Sequence, residues 1–183
     1  VTFTASHADV KCHNGSDGTI TLSASGGTGS NYQYALWKST DEASDTWVNF
    51  SNTTSTQIDG LPDATYQLKV RDGNQCVAKN SDKTDAITSV VIKEPDQLAA
   101  SISGQTDITC KGAANGVISV QVSGGNGGYT YTLYKDGSQY KRGDLPSDKT
   151  FSGLPVGNYR VERSDAKSCN ASWSGSTDHT SIP

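Results

Sequence analysis

Four cysteines, three histidines and a set of acidic and aromatic residues are the groups in this 183-residue chain with chemistry to offer. Cys12, Cys76, Cys110 and Cys169 lack the close spacing of a zinc knuckle, so disulfide formation is favoured over a four-cysteine metal site or free buried thiols. His7, His13 and His179 form no i, i+4 pair and have no clustered partner, which argues against a metal centre. Asp41, Glu42, Asp45, Asp72 and Asp165 are weak calcium candidates. Calcium wants six to eight oxygens, there is no D-x-D-x-D-G loop, and an Asp at a turn more often accepts bonds from nearby backbone amides. No G-x-S-x-G lies between a strand and a helix, and no helix follows Gly26-Gly27 or Gly124-Gly125 to cradle a phosphate. Catalysis and a resident cofactor are therefore not expected.

The aromatic residues offer the sharper possibility. If Tyr34 and Leu36 face a core, strand parity turns Trp37 outward, and the corresponding place later in the chain is Tyr134. With Val48 and Phe50 inward, Trp47 joins Trp37 on the outer side. Such a pair could form a flat platform that stacks on sugars, a carbohydrate-binding site. The alternative is a cross-strand pair that stiffens a sheet.

The elements that must position these residues occur twice. Val10-Lys-Cys12 to Gly26-Gly27 returns 98 residues later as Ile108-Thr-Cys110 to Gly124-Gly125. Gly60-Leu61-Pro62 with Tyr66 returns as Gly153-Leu154-Pro155 with Tyr159, and Asp72 to Cys76 as Asp165 to Cys169. In the first copy Thr19 to Ala24, Tyr32 to Leu36, Trp47 to Phe50, Thr56 to Ile58, Tyr66 to Val70 and Ser89 to Ile92 read as short strands between Gly, Asn, Asp and Pro turns. The second copy repeats the order, and no stretch reads as a helix. The expected fold is all-β, with two tandem immunoglobulin-like antiparallel β-sandwich domains at 1–95 and 96–183. Lys93-Glu94-Pro95 forms a short, semi-stiff joint. Three cysteine pairings are possible, and only Cys12 with Cys76 plus Cys110 with Cys169 keeps each bond inside one copy. That pairing is expected, each bond contributing about 4 kcal/mol by the loop-entropy model.

The net charge of −4 and pI near 5.2 disfavour nucleic acid and anionic lipid as partners, and no segment reads as membrane-inserting. A hydrophobic content of 33%, concentrated in alternating runs, fits two thin cores rather than disorder. Disulfides and a surface rich in Ser, Thr, Asn and Gly point to an extracellular location.

Taken in order, Cys12, Gly18, Gly26-Gly27, Tyr32-Gln-Tyr34, Gly60-Leu61, Tyr66, Asp72 and Cys76 resemble the SprB-type repeat of large surface proteins of gliding bacteria. So do Cys110, Gly116, Gly124-Gly125, Tyr129-Thr-Tyr131, Gly153-Leu154, Tyr159, Asp165 and Cys169. The first copy departs from that pattern in the insertion Ser39 to Ser55 and at Asp63-Ala64. The resemblance implies a non-catalytic section of an exported bacterial cell-surface adhesin with a part in attachment and gliding. Its partner would be a polysaccharide or other external surface, and neighbouring repeats of the same chain. A carbohydrate-binding module, or accessory domains of a secreted enzyme, is the alternative.

Overall fold

A computed structural model describes residues 1–145, 148–170, 172–173 and 179–183, with side chains at 144–148 and 171–180 outside the description. The chain divides into two units, Val1–Glu94 and Pro95–Pro183. The first contains β1 (Thr2–Ala8), β2 (Gly18–Ser25), β3 (Gln33–Lys38), β4 (Val48–Asn49), β5 (Ser55–Leu61), β6 (Ala64–Arg71) and β7 (Thr88–Ile92). One sheet has the order β1-β2-β5 and the other β4-β3-β6-β7, all pairs antiparallel. The second unit contains β8 (Ala99–Thr106), β9 (Gly116–Ser123), β10 (Tyr129–Lys135), β11 (Ser138–Leu145), β12 (Asp148–Leu154), β13 (Gly157–Ser164), β14 (Ser172–Trp173) and β15 (His179–Ile182). Its sheets run β12-β9-β8-β14 and β11-β10-β13-β15, with β14 parallel to β8. Each unit is an immunoglobulin-like sandwich, as the alternating pattern predicts.

Period-two patterning fills the cores. Ile20, Leu22 and Ala24 on β2 are buried, as are Ile118, Val120 and Val122 at the matched positions of β9, while the hydroxyl residues between them stay outside. From the facing sheets come Tyr66, Leu68 and Val70 in one unit and Leu133, Tyr159 and Val161 in the other. Val48 departs from the expected pattern. It is exposed, because β4 is only two residues long and lies at a sheet edge, whereas Phe50 does pack inward against the rings of Tyr32 and Tyr34.

The repeated motifs are hydrogen-bond locks. Tyr66 Oη donates to Pro62 O at 3.1 Å and Tyr159 Oη to Pro155 O at 2.7 Å, the tyrosine corner of an immunoglobulin-like sandwich. Burial pushes the Tyr159 hydroxyl up to about 12. A second lock runs from Tyr32 Oη to Gly26 O and from Tyr129 Oη to Gly124 O, both at 2.7 Å. Gly27 and Gly125 have positive φ, and a Cβ at either would fall within 3 Å of the carboxylate of Asp72 or Asp165. Removing a single corner hydroxyl, in Tyr66→Phe, should lower the stability of the first unit by about 1 kcal/mol in urea titration with the m-value unchanged.

The expected disulfides are not formed. Cys76 and Cys110 are free and exposed, while Cys12 and Cys169 are in the disulfide-bonded form. Distance forbids Cys12–Cys76 and Cys110–Cys169. Cys12 lies in the loop after β1, at the Ala8/Thr19 end of the sheet, and Cys76 hangs on Asp72 beside Gly27, at the Thr2/Ser25 end. The length of β2 separates them, eight residues or roughly 25 Å. A disulfide tolerates a Cα separation of only about 7 Å. Cys110 and Cys169 stand apart in the same way across β9.

Candidate functional site

The outer face of the β3–β6 sheet carries the aromatic residues singled out from the sequence. On β3, Tyr34 and Leu36 pack against the core, so Ala35 and Trp37 point the other way. Across the ladder Ala35 pairs with Lys69 and Gln33 with Arg71, so outward parity brings two cations to that face. Lys69 Nζ lies 5.8 Å from the Trp37 ring centroid and 5.3 Å from that of Trp47, and 2.5 Å from Asp45 Oδ1. Arg71 Cζ sits 4.2 Å over Trp47, and its Nε donates to Gln33 Oε1 at 2.7 Å.

The insertion therefore folds back over the sheet and makes a small second core. Ala35 is fully buried and Trp37 only 7% exposed. Trp37 and Trp47 do share one face, but they form no open platform, since cations occupy their rings and the insertion covers them. The missed signal was Lys69-x-Arg71, two long cationic side chains at the same outward parity on the partner strand. In the second unit Tyr134 is half-buried on the matched face. Arg160 Cζ lies 4.3 Å over its ring, and its hydroxyl donates to Glu162 Oε2 at 3.0 Å. Arg160 is also ion-paired to Glu162.

Asp41, Asp45, Asp72 and Asp165 are held by other bonds. Asp72 accepts the amides of Thr28 and Gly29 on Oδ2 and those of Asn74 and Cys76 on Oδ1. The amides of Thr28 and Cys76 hold its carboxyl below the usual range; burial opposes them, and those of Gly29 and Asn74 add to the lowering. Asp165 takes Asn126 N and Nδ2 on Oδ2 and the amides of Lys167 and Cys169 on Oδ1. Burial pushes its carboxyl up, but the donors from Asn126, Cys169 and Lys167 outweigh it and the net direction is down. Carboxylates whose oxygens all accept N–H bonds have no lone pairs left for calcium.

Asp41 accepts from Thr40 Oγ1 and Asp45 is paired with Lys69, while Glu42 is exposed. No group of three metal-ligating side chains occurs among the described residues. His7 lies 3.7 Å from Asp9, and His13 Nδ1 is 2.9 Å from Glu94 Oε1. His179 stands in β15 with its side chain outside the described residues.

One open polar cleft of about 590 Å³ lies in the first unit, where the β2–β3 loop meets the insertion. Asn31, Asn49 and Asn52 are among its lining residues, together with Tyr32 and Phe50. Asn49 Oδ1 already accepts from Gln33 Nε2 at 2.7 Å, which fixes that side chain at the rim. Amides beside an aromatic edge can bind a polar, hydroxyl-rich ligand. The sequence did not point to this cleft, because its lining comes from two loops that only folding brings together.

Residues 4–39 and 102–138 match the SprB repeat family. The matched segments carry Cys12 and Gly26-Gly27, and Cys110 and Gly124-Gly125; the Gly-Leu-Pro and Asp-x-x-x-Cys motifs recur beyond them. No curated protein matches the sequence. Among solved structures, a fragment of intimin in complex with the intimin-binding domain of its translocated receptor is similar at 13% identity and a TM-score of 0.50. That similarity covers all of this chain and 62% of the fragment. The fibronectin(III)-like modules of Clostridium thermocellum CbhA align at 13% identity and a TM-score of 0.38, over 97% of this chain and 91% of theirs. A biofilm-associated protein's BSP domain aligns at 10% identity and a TM-score of 0.34, over 98% of this chain and 29% of its own. At 13% identity the likeness to the intimin fragment concerns the fold alone.

Proposed function

We propose, from the match of residues 4–39 and 102–138 to the SprB repeat family, that this chain is a non-catalytic section of an exported bacterial cell-surface adhesin. It serves attachment and gliding as a multivalent binding or spacer array. The observation that carries this reading is the duplication of one scaffold, with the same tyrosine and aspartate locks at matched positions in both copies. An array works by number: weak single contacts hold firmly together and release one at a time.

The partner proposed is a polysaccharide or other external surface, met in the first repeat at the asparagine-lined cleft rather than at Trp37 and Trp47. The test is binding to a panel of immobilised polysaccharides, with and without calcium, by the chain as a monomer and by the chain displayed in many copies on beads. Adhesion predicts retention that rises by about 100-fold or more on multivalent display and falls several-fold in an Asn49→Ala/Asn52→Ala variant. No retention in either format would leave a passive stalk.

A further inference from the structure

β1 (Thr2–Ala8) is an open edge of the first repeat. It pairs with β2, and among the described residues no backbone bond joins Thr2–Ala8 to any other segment. A free edge presents a row of N–H and C=O groups ready to pair with another strand, and proteins usually block it with a charge, a proline, a bulge or a covering segment. β1 has none of these. Thr2-Phe-Thr-Ala-Ser-His-Ala8 holds no proline and no ionisable side chain besides His7, and its register with β2 is unbroken over all seven residues. The other edge of the same sheet, β5, carries Asp59 and Gly60 and a register shift against β2.

The second repeat shows what this edge accepts. Ala99 and Ala100 on β8 stand where Thr2 and Phe3 stand, because they pair with Ser123 and Val122 as Thr2 and Phe3 pair with Ser25 and Ala24. There β14 adds to the sheet, pairing Ser172 with Ala99 and Trp173 with Ala100. β8 is also bulged between Ile102 and Gly104. The scaffold thus takes an added strand at this edge, and in the first repeat none is in place among the described residues.

We propose that β1 is a pairing edge for a second copy of this chain, β1 against β1 and antiparallel about Ala5. In that register Thr2 faces Ala8, Phe3 faces His7, Thr4 faces Ser6 and Ala5 faces Ala5 of the partner subunit. Directly opposed residues share a face of the sheet. Phe3 and Ala5, which pack on the core, therefore stay on the inner side, while the exposed Thr4 and Ser6 meet hydroxyl to hydroxyl on the outer side. No like charges oppose each other, although the chain as a whole carries a net charge of −4. The two sheets become one continuous sheet across both copies, by the strand addition that open edges support. Copies displayed side by side would cohere laterally through this edge. The inference goes beyond surface binding, so failure of adhesion leaves it standing.

The test is sedimentation equilibrium of the two-repeat chain with its free thiols capped by iodoacetamide, so that no new disulfide joins copies, beside hydrogen exchange at low and high concentration. A reversible dimer should form, and peptides covering Thr2–Ala8 should gain protection as concentration rises while those covering β12 do not. Thr4→Lys/Ser6→Lys sets lysine opposite lysine and should weaken the dimer by about 10-fold or more. Thr4→Lys/Ser6→Glu sets lysine opposite glutamate and should recover the parent affinity. Both positions are exposed, and unchanged protection of β2 and β6 shows that the variants fold; if they do not, the exchange of the parent chain at β1 decides alone. A chain that stays monomeric at its highest soluble concentration, a dimer that leaves β1 exchange unchanged, or equal affinity of the two variants would overturn the proposal.

Discussion

Trp37→Ala is expected to destabilise the first repeat by about 3 kcal/mol and to leave the second unchanged. Trp37 is 7% exposed, with Lys69 stacked between it and Trp47 and Asp45 closing over the ammonium. Truncation removes one of the two tryptophans of this outer core, and it strips a buried cation of one of its two aromatic partners. Tyr134→Ala at the matched place should cost under about 1 kcal/mol, since that ring is half-exposed and its Arg160 and Glu162 partners keep water on one side. Hydrogen exchange resolved by peptide gives the stability of each repeat in one experiment. Equal small effects in both would show that Trp37 is the exposed binding residue strand parity suggests, and not part of a core.

Asp165→Ala should cost the second repeat about 3 kcal/mol, because four donors from Asn126, Lys167 and Cys169 lose their acceptor at a site only 4% exposed. The same bonds set an acid limit. Asp72 and Asp165 are held below the ordinary carboxylate value in the folded chain, so the unfolded state binds protons first as pH drops. Their contribution is complete above about pH 5 and is lost as pH falls below about 4, through the folded values. Melting temperature should be flat from neutrality to about pH 5 and then decline. In Asp165→Asn the second repeat should start lower and decline less steeply. A decline beginning near pH 6 instead would show that these aspartates do not set the acid limit.

The carbohydrate platform is where strand reasoning went furthest and erred. Parity correctly set Trp37 opposite Leu36, yet parity names a face and not what covers it. The cover came from the insertion, 39–55, which has no regular period of its own and whose Trp47 and Asp45 find their partners 22 to 24 residues downstream. A comparable surprise lies in the second core, where the place of Val70 is taken by Arg163, 5% exposed, whose basicity burial lowers to about 10.

By itself the sequence determined the duplication, the all-β sandwich and the residues that lock it. Period-two hydrophobicity and the Gly-Leu-Pro and Asp-x-x-x-Cys motifs act through bonds between near neighbours, four residues apart at Tyr66, Tyr159, Cys76 and Cys169. Only the tertiary structure decided which cysteines are kept apart, what lies over Trp37, and which loops meet at the asparagine cleft. Each of these depends on a distance between segments remote in sequence. Cysteines that match between copies and bracket one repeat look paired on paper, and a strand of roughly 25 Å keeps them apart.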